Sequence, residues 1–444
     1  MRVAVVGAGY VGLVSGVCLA EAGHEVVCVD VSATRVASIL RGEPPIHEEG
    51  LEPLLRAHLG GRFTATQDLD SAVRASDLTL IAVGTPFDGS AIDLAYVRQA
   101  AEQIGRALGA TRSYHVVVVK STVVPGTTDS VVLPILEAAS GRRAGRDFGV
   151  GMNPEFLTEG QAVRDFLEPD RIVLGAGDER TLEALEALYA SFPDVPKIRT
   201  NPRTAEMIKY ASNALLATAI SFSNEIANLC SALGGVDAVD VMRGLHVSNY
   251  LSVTCAGGGR IVAPIASFLL PGCGFGGSCL PKDVSALAAH GETVGVRMRL
   301  MRSIIEVNRE QPGQLIRCLE AHFPSLDGLR VAVLGLAFKP DTDDVRESPA
   351  FPVIGRLLEC GATVRAYDPV AMPAAREVIG GAIEYADSLE RCVSDVDAVI
   401  LVTRWKQFEA VPGLLRGMAS PPLLVDGRRQ LDKGNVPRYA GIGL

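Results

Sequence analysis

Short apolar runs alternate with helical patterns through the first half of this chain. Residues 2–6 (Arg-Val-Ala-Val-Val) and 25–30 (Glu-Val-Val-Cys-Val-Asp) read as buried strands around a helix from about Tyr10 to Ala22. Similar runs recur at 78–83, 115–120 and 148–152, separated by helical pattern. Such alternation predicts a parallel sheet with helices on both faces. From about Thr204 to Leu233 the pattern is purely helical, with neither Gly nor Pro. At about 1.5 Å per residue this helix is a rod of ~45 Å, suited to be a domain spine whose apolar face a second subunit could share. A glycine-rich loop region covers 256–277, and helices resume through about His322. A second αβ unit starts at Arg330, with strands at 363–368 and near Val399 and Leu424. The expected class is α/β: two doubly wound parallel-sheet domains joined by the long helix and a helical middle, divided as 1–203, 204–322 and 323–444.

The chain of 444 residues is 48% hydrophobic and 21% charged, enough for two or three cores and without the signature of a disordered tail. Its net charge of −9 argues against nucleic acid or an anionic membrane as main partner. An anionic small ligand, held by local N–H groups and a few cations, stays compatible. Strand-like residues from Arg2 onward leave no pattern of a secretory leader, and no apolar run reaches the ~20 residues of a membrane span. Nine cysteines, odd in number and without metal-ligand spacing, suggest reduced thiols, a cytoplasmic location and no metal. Cys18 and Cys28 fall in a helix face and a strand, where packing accounts for them.

Gly7-Ala-Gly9-Tyr-Val-Gly12 is G-x-G-x-x-G directly after one strand and directly before a helix, and Asp30 ends the next strand. In a Rossmann-like unit Gly7 makes the tight turn, Gly9 admits a pyrophosphate, and Gly12 lets helix and strand pack closely. Asp30 would accept both ribose hydroxyls and repel a 2′-phosphate, favouring NAD over NADP. Tyr10, Val11 and Arg35 are placed in the same site. Gly84-Thr85-Pro86 and Ser121-Thr122 lie at later strand ends, where open α/β sheets bind ligands. Taken singly, each is equally an ordinary strand-to-helix turn.

Gly274-Phe-Gly-Gly-Ser-Cys279-Leu-Pro-Lys-Asp283 puts a cysteine on a glycine-rich turn with Pro281 starting a helix. Cys279 would then lie at the positive end of the helix dipole. A free thiol is only ~3% thiolate at neutral pH, and a depression of about two units makes it mostly thiolate. With Lys282, Asp283 and four glycines around it, Cys279 reads as a nucleophile.

Lys209 and Asn213 lie four residues apart on the long helix, so they share a face. Spacing alone would leave them a solvated pair. Their company changes this: Asn-Pro-Glu155-Phe-Leu-Thr-Glu159-Gly, Met-Ile-Lys209-Tyr-Ala-Ser-Asn213-Ala, the cysteine loop, and Gly335-Leu-Ala-Phe-Lys339-Pro-Asp-Thr-Asp-Asp-Val-Arg346-Glu-Ser-Pro occur in this order. From Met1 to about Asp432 the chain closely resembles the UDP-glucose/GDP-mannose dehydrogenase family.

That resemblance implies a four-electron oxidation of the C6 alcohol of a nucleotide sugar to a carboxylate, with two NAD and one water. It assigns Cys279 to capture of the aldehyde as a thiohemiacetal, which is oxidised to a thioester and hydrolysed. Lys209 and Asn213 would stabilise the oxyanion, Glu155 would activate the water, and Asp283 and Thr122 would support them. Glu159, Lys282 and Arg346 are implied cofactor contacts. Residues 1–203 would hold NAD, 204–322 the dimer and catalytic helices, and 323–444 the nucleotide sugar. Implied substrate contacts are Phe156, Leu157, Arg260, Phe268, Leu269, Gly272, Phe275, Gly276, Phe338, Lys339 and Arg428, besides Glu155, Lys209 and Asn213. Asp426-Gly-Arg428-Arg429 leans towards the UDP-glucose branch, hence towards UDP-glucuronate as product. A homodimer or larger homo-oligomer is expected.

One segment departs from the family pattern. Arg260-Ile261 is followed by Val262 where relatives usually have Gly, and Cys255-Ala256-Gly257-Gly258-Gly259 looks like extra loop. This leaves GDP-mannose, TDP-glucose and UDP-N-acetylhexosamines open as substrates. A two-electron hydroxyacid dehydrogenase would need no cysteine, and a silent NAD or nucleotide-sugar binding protein would be expected to have lost Cys279, Lys209 or Asn213.

Overall fold

A computed structural model describes residues 1–111, 113–255 and 257–444, so Ala256 of the extra loop lies outside the described residues. The chain divides into two compact units, Met1–Ser212 and Asn213–Leu444.

The first unit is built on eight strands: β1 (Arg2–Val6), β2 (Glu25–Val29), β3 (Phe63–Thr66), β4 (Leu78–Ile81), β5 (Val116–Val119), β6 (Gly149–Met152), β7 (Ile172–Ala176) and β8 (Lys197–Thr200). Their order is β3-β2-β1-β4-β5-β6-β7-β8. All neighbours are parallel except β6 and β7, which pair antiparallel. Val3, Ala4 and Val5 in β1 and all four valines of β5 are buried, as strands covered by helices on both faces require. From β1 the chain builds outward to β2 and β3, then returns to lay β4 on the other side of β1. That reversal opens a crevice at the carboxyl ends of β1 and β4, where doubly wound sheets bind ligands. Gly7 turns the chain there at φ +102°, and a Cβ on it would lie 2.6 Å from the Ala82 carbonyl oxygen.

The long helix spans Pro202–Leu233, beginning two residues before the sequence boundary. Pro202 is compatible because a first-turn residue needs no N–H partner. Asn201 caps the end, its Oδ1 accepting the Thr204 N–H at 2.9 Å.

The second unit continues that helix and adds helices Ala238–His246, Leu280–Thr293, Arg299–Glu310 and Gly313–Glu320. The segment that departs from the family pattern folds as an antiparallel hairpin of β9 (Ser252–Thr254) and β10 (Arg260–Val262). The remaining strands are β11 (Arg330–Leu334), β12 (Thr363–Tyr367), β13 (Glu384–Tyr385), β14 (Ala398–Leu401), β15 (Leu423–Asp426) and β16 (Tyr439–Gly441). They form a parallel sheet in the order β13-β12-β11-β14-β15-β16.

The two sheets reuse one plan. Arg2 and Arg330 open the central strands and donate their backbone N–H groups to Asp77 and Asp397 at 3.0 and 2.9 Å. Gly335 at φ +96° stands where Gly7 stands, and its missing Cβ would collide with Thr403. Asp368 after β12 stands where Asp30 stands after β2, taking the amides of Leu336 and Ala337 at 2.7 and 3.0 Å. Substituting Gly335→Ala adds a strained positive φ to an overpacked contact. It should lower unfolding free energy by about 2–5 kcal/mol, read as a shifted urea midpoint.

Candidate active site

Gly9 is the N-cap of the helix Tyr10–Glu21, so no side chain caps its first amides. Among the described residues nothing lies within 4 Å of a Cβ built on Gly9, whereas one on Gly12 would overlap the Gly7 carbonyl oxygen. The loop is therefore tight where helix meets strand and open where a pyrophosphate would approach. Val11 is half-buried beside it.

Asp30 is buried, and its Oδ2 accepts Ala8 N–H at 2.9 Å and Arg35 Nη1 at 3.1 Å. Among the described residues its Oδ1 accepts only Ser32 N–H, at 2.9 Å. A carboxylate offers about four acceptor positions, so Asp30 keeps capacity for a ribose hydroxyl. Asp368 does not: three N–H groups (Leu336, Ala337, Trp405) sit on its Oδ2 and two (Val370, Ala371) on its Oδ1. The open cradle at Gly9 and the unsaturated Asp30 fit a dinucleotide in the first unit.

Other proposed cofactor residues brace one another. Thr85 Oγ1 donates to the Thr122 carbonyl at 2.8 Å, and Gly84 and Pro86 are exposed on either side. Ser121 Oγ donates to Val83 O at 2.7 Å and Ile81 O at 3.2 Å, tying two strand ends together. The Tyr10 hydroxyl is bonded to Glu48, and burial followed by that carboxylate pushes its pKa up. Glu48 also accepts the N–H groups of Gly160 and Ala162, each at 2.7 Å. It thereby anchors the end of the Glu155–Gly160 loop, in which Glu159 is half-buried. Nothing in one sequence singles out Glu48.

After β6, Glu155 Oε1 pairs with Lys209 Nζ at 3.0 Å, with both side chains buried. Its Oε2 accepts Leu157 N–H at 2.7 Å. Burial pushes the Glu155 pKa up, but Lys209, the Leu157 amide and Lys120 outweigh it and hold the carboxyl below its ordinary range. Phe156 lies beside the pair, its ring centre 5.5 Å from Lys209 Nζ and 3.9 Å from the Arg171 guanidinium. Glu206, one turn before Lys209, is buried and accepts Gly126 N–H at 2.5 Å and Thr128 N–H and Oγ1 at 2.8 and 2.7 Å. Burial drives its pKa to about 7 against those hydrogen bonds.

Within the second unit, Asn213 Nδ2 donates to Asp283 Oδ2 at 2.6 Å, and Lys282 Nζ reaches Asp283 Oδ1 at 2.7 Å. Cys279 is the N-cap of the helix Leu280–Thr293, with Pro281 in its first turn. Of the nine cysteines Cys279 alone is exposed. Burial pushes the thiols of Cys18 and Cys392 up to about 12 and that of Cys318 to about 11.

The cysteine turn is held from several sides. Asn308 takes the Phe275 N–H at 2.8 Å and returns its Nδ2 to the Phe275 carbonyl at 2.9 Å. Gly277 N–H donates to Arg346 O at 2.9 Å. A Cβ on Gly276 would overlap the Glu347 carbonyl, and one on Gly277 would meet the Phe338 ring at 2.6 Å. Lys339 Nζ lies 5.8 Å from the centre of that ring. The Arg346 side chain pairs with Asp344 at 2.6 Å. Arg428 Nε and Nη1 hold Val402 O at 2.6 Å and Gly274 O at 2.8 Å, so this guanidinium braces the loop. Arg404, also unsignalled in the sequence, is bonded to the Arg428 carbonyl, and burial and then Arg428 push its pKa down.

Gly272 is fixed by Asn224 at 2.8 Å and Gln311 at 2.9 Å. Phe268 and Leu269 are half-buried, with Leu269 O accepting His246 Nε2 at 2.9 Å. Arg260 is exposed on the hairpin, bonded to Val247 O and to Asn249 Oδ1 at 3.3 Å. Among the described residues no group of three His, Cys, Asp or Glu could hold a metal, and no helix is long and apolar enough to cross a membrane.

Three family models match in chain order. They are the NAD binding domain of the UDP-glucose/GDP-mannose dehydrogenase family over residues 1–193, its central domain over 203–310 and its UDP binding domain over 332–433. The UDP-glucose 6-dehydrogenase of Haloferax volcanii is 42% identical, covering 97% of each chain. A GDP-mannose 6-dehydrogenase of Pseudomonas putida is 40% identical, covering 93% of each. The solved UDP-glucose dehydrogenase of Pyrobaculum islandicum superposes with a TM-score of 0.89 at 40% identity, covering 99% of this chain and 97% of that one. Domain by domain and over its full length, this chain belongs to the UDP-glucose/GDP-mannose dehydrogenase family of NAD-dependent nucleotide-sugar dehydrogenases.

Proposed function

We propose that the chain oxidises the C6 hydroxyl of UDP-glucose to the carboxylate of UDP-glucuronate, in the cytoplasm and as a homodimer. The observation that carries the covalent route is Cys279, the one exposed thiol, at the first turn of a helix. Residues 1–203 hold NAD, 204–322 supply the dimer and catalytic helices, and 323–444 hold the nucleotide. Bound NAD supplies the hydride acceptor for each of the two oxidations, held by the Gly7–Gly12 turn and Asp30.

The first oxidation leaves an aldehyde. The Cys279 sulfur adds to its carbonyl carbon, and the oxygen, now an oxyanion, meets donors from Lys209 and Asn213. The thiohemiacetal carbon still bears a hydride to give up, where a free aldehyde does not surrender one easily. Its loss leaves a thioester. Glu155, held ionised by Lys209, takes a proton from water as the water oxygen attacks the acyl carbon. The C–S bond breaks, the carboxylate leaves and the thiol is restored. Asp283 orients the Asn213 amide through their hydrogen bond.

UDP-glucose is favoured over GDP-mannose by Asp426-Gly427-Arg428-Arg429, whose Arg428 sits at the cysteine turn. The GDP-mannose reading rests on the Pseudomonas putida relative. The homodimer rests on an apolar stripe of heptad spacing along the long helix: Leu215, Phe222 and Leu229 are 56%, 45% and 55% exposed.

Across a panel of UDP-glucose, TDP-glucose, GDP-mannose and UDP-N-acetylhexosamines, UDP-glucose should give the highest kcat/KM, with two NADH formed per sugar and NAD strongly preferred over NADP. One NADH per sugar would end the four-electron reading. Mixing Glu155→Gln with NAD and UDP-glucose should build up a thioester on Cys279, visible by intact mass, because hydrolysis loses its base while both oxidations proceed. Cys279→Ser should instead lose turnover by roughly a thousandfold or more, since an ester resists hydrolysis. In sedimentation the protein should run as a dimer, and Phe222→Asp should shift it towards monomer. A fully active monomer would refute the interface.

A further inference from the structure

Lys120 directly follows β5 with its side chain turned into the first unit, where it is only 3% exposed. Its ammonium meets neutral acceptors: Asn153 Oδ1 at 2.9 Å, Asn153 O at 3.5 Å and Tyr189 Oη at 3.4 Å. The Phe166 ring centre is 6.0 Å away. Among the described residues no carboxylate lies within ion-pair distance of it. Tyr189 donates to Asn153 Oδ1 at 2.5 Å, and Asn153 Nδ2 to Val173 O at 2.9 Å, so the acceptors are themselves fixed. Asn153, which takes the ammonium, lies two residues before Glu155, whose charge favours the Lys120 ammonium while Lys209 opposes it. A buried ammonium with only neutral partners is costly, and local packing does not require it.

We infer that Lys120 is a positioning residue of the reaction: a fixed second ammonium beside the Glu155–Lys209 pair that keeps Glu155 ionised when Lys209 turns to the substrate. The inference rests on the roles proposed for Glu155 and Lys209. Were Lys209 its one cation, buried Glu155 would be stranded whenever that charge turned to a substrate oxyanion, and would then take up a proton and cease to be a base. With Lys120 present, Glu155 keeps the field of a second ammonium while Lys209 serves the oxyanion. No proton or electron leaves Lys120 in any step. Burial, and to a smaller extent Lys209, bring its pKa down to about 8 against the pull of Glu155, so it stays mostly protonated at neutral pH.

The test compares Lys120→Met, Asn153→Asp and Glu155→Gln with the unaltered enzyme. Lys120→Met removes the charge but keeps the chain length. Asn153→Asp keeps Lys120 but neutralises it in place, and covers the case in which Lys120→Met fails to fold. In both, the acid limb of the kcat profile should move up by about one unit, lowering kcat roughly tenfold on that side. KM for UDP-glucose should stay within about twofold. A folded pKa depressed for a base means that the unaltered protein loses stability as pH falls from the ordinary lysine value to about 8. Lys120→Met should therefore melt no lower than the parent at neutral pH, with any advantage fading as pH rises towards the ordinary lysine value. A lower Tm with an unmoved acid limb would overturn the inference, leaving Lys120 a packing residue. Glu155→Gln separates the two readings. If it abolishes the limb while the other two variants leave it in place, Lys120 alone is wrongly assigned. If the limb survives in Glu155→Gln, the base itself is misassigned and the inference falls with it.

Discussion

A carboxylate at the end of the second strand fixes the turn after the first, and both sheets depend on it. Each turn leaves buried backbone N–H groups beside a glycine of positive φ, and an unmet donor there costs about 1–3 kcal/mol. Asp30 and Asp368 meet those donors. The two units then diverge in the acceptor capacity the carboxylate retains. Asp368 is saturated and purely architectural, while Asp30 retains an acceptor position beside an open glycine turn. They diverge again in the connection leaving the first strand. The helix starts at Tyr10 in the first unit but only at Ala350 in the second. The intervening loop of the second unit carries Phe338, Arg346 and Glu347, which close around Gly276 and Gly277. One plan thus yields an open helix start in one unit and a clamp for the cysteine turn in the other.

Much of this was legible in the sequence because it rests on local rules. The strand–glycine–helix pattern, the acid ending the next strand and the proline after the cysteine each describe a conformation that few other residues permit. The long helix was readable from its period, although Pro202 concealed its start. The elements that were missed lack a local signature. β7 carries Gly175, which weakens a strand pattern. It is there because a Cβ would lie 2.7 Å from Ala205, where the long helix begins against the sheet. β3, β13 and β16 span four, two and three residues, too short for a period. The antiparallel turn from β6 to β7 is a matter of topology that alternation of strand and helix does not encode.

Site residues divide in the same way. Glycines and the cysteine announce themselves, but Glu48, Lys120 and Arg404 act through partners distant in sequence. Glu48 meets Gly160, and Lys120 meets Asn153 and Tyr189, contacts that exist only once the strands are side by side. Ser121 and Arg428 show the converse. Their motifs suggest ligand contacts, and the structure adds that Ser121 Oγ and two nitrogens of Arg428 are engaged by backbone carbonyls. Such groups shape a site by fixing its walls.

Buried charge separates stability from chemistry here. An isolated buried ion pair adds little to folding, because desolvation consumes most of its attraction, and hydrocarbon of the same shape would often serve as well. The Glu155–Lys209 pair and Lys120 hang from the ends of β6, the long helix and β5, where an apolar sheet already provides the burial. Val116–Val119 are all buried, at about 1.5–3 kcal/mol per fully buried side chain. A strand with that margin can carry one costly ammonium at its end, whereas an exposed loop could carry it cheaply but could not keep it desolvated. Low dielectric is what lets a charge a few ångströms away hold a carboxylate ionised. The expense of burying these groups and their influence on one another therefore have the same origin, and the strand ends of a doubly wound sheet supply both.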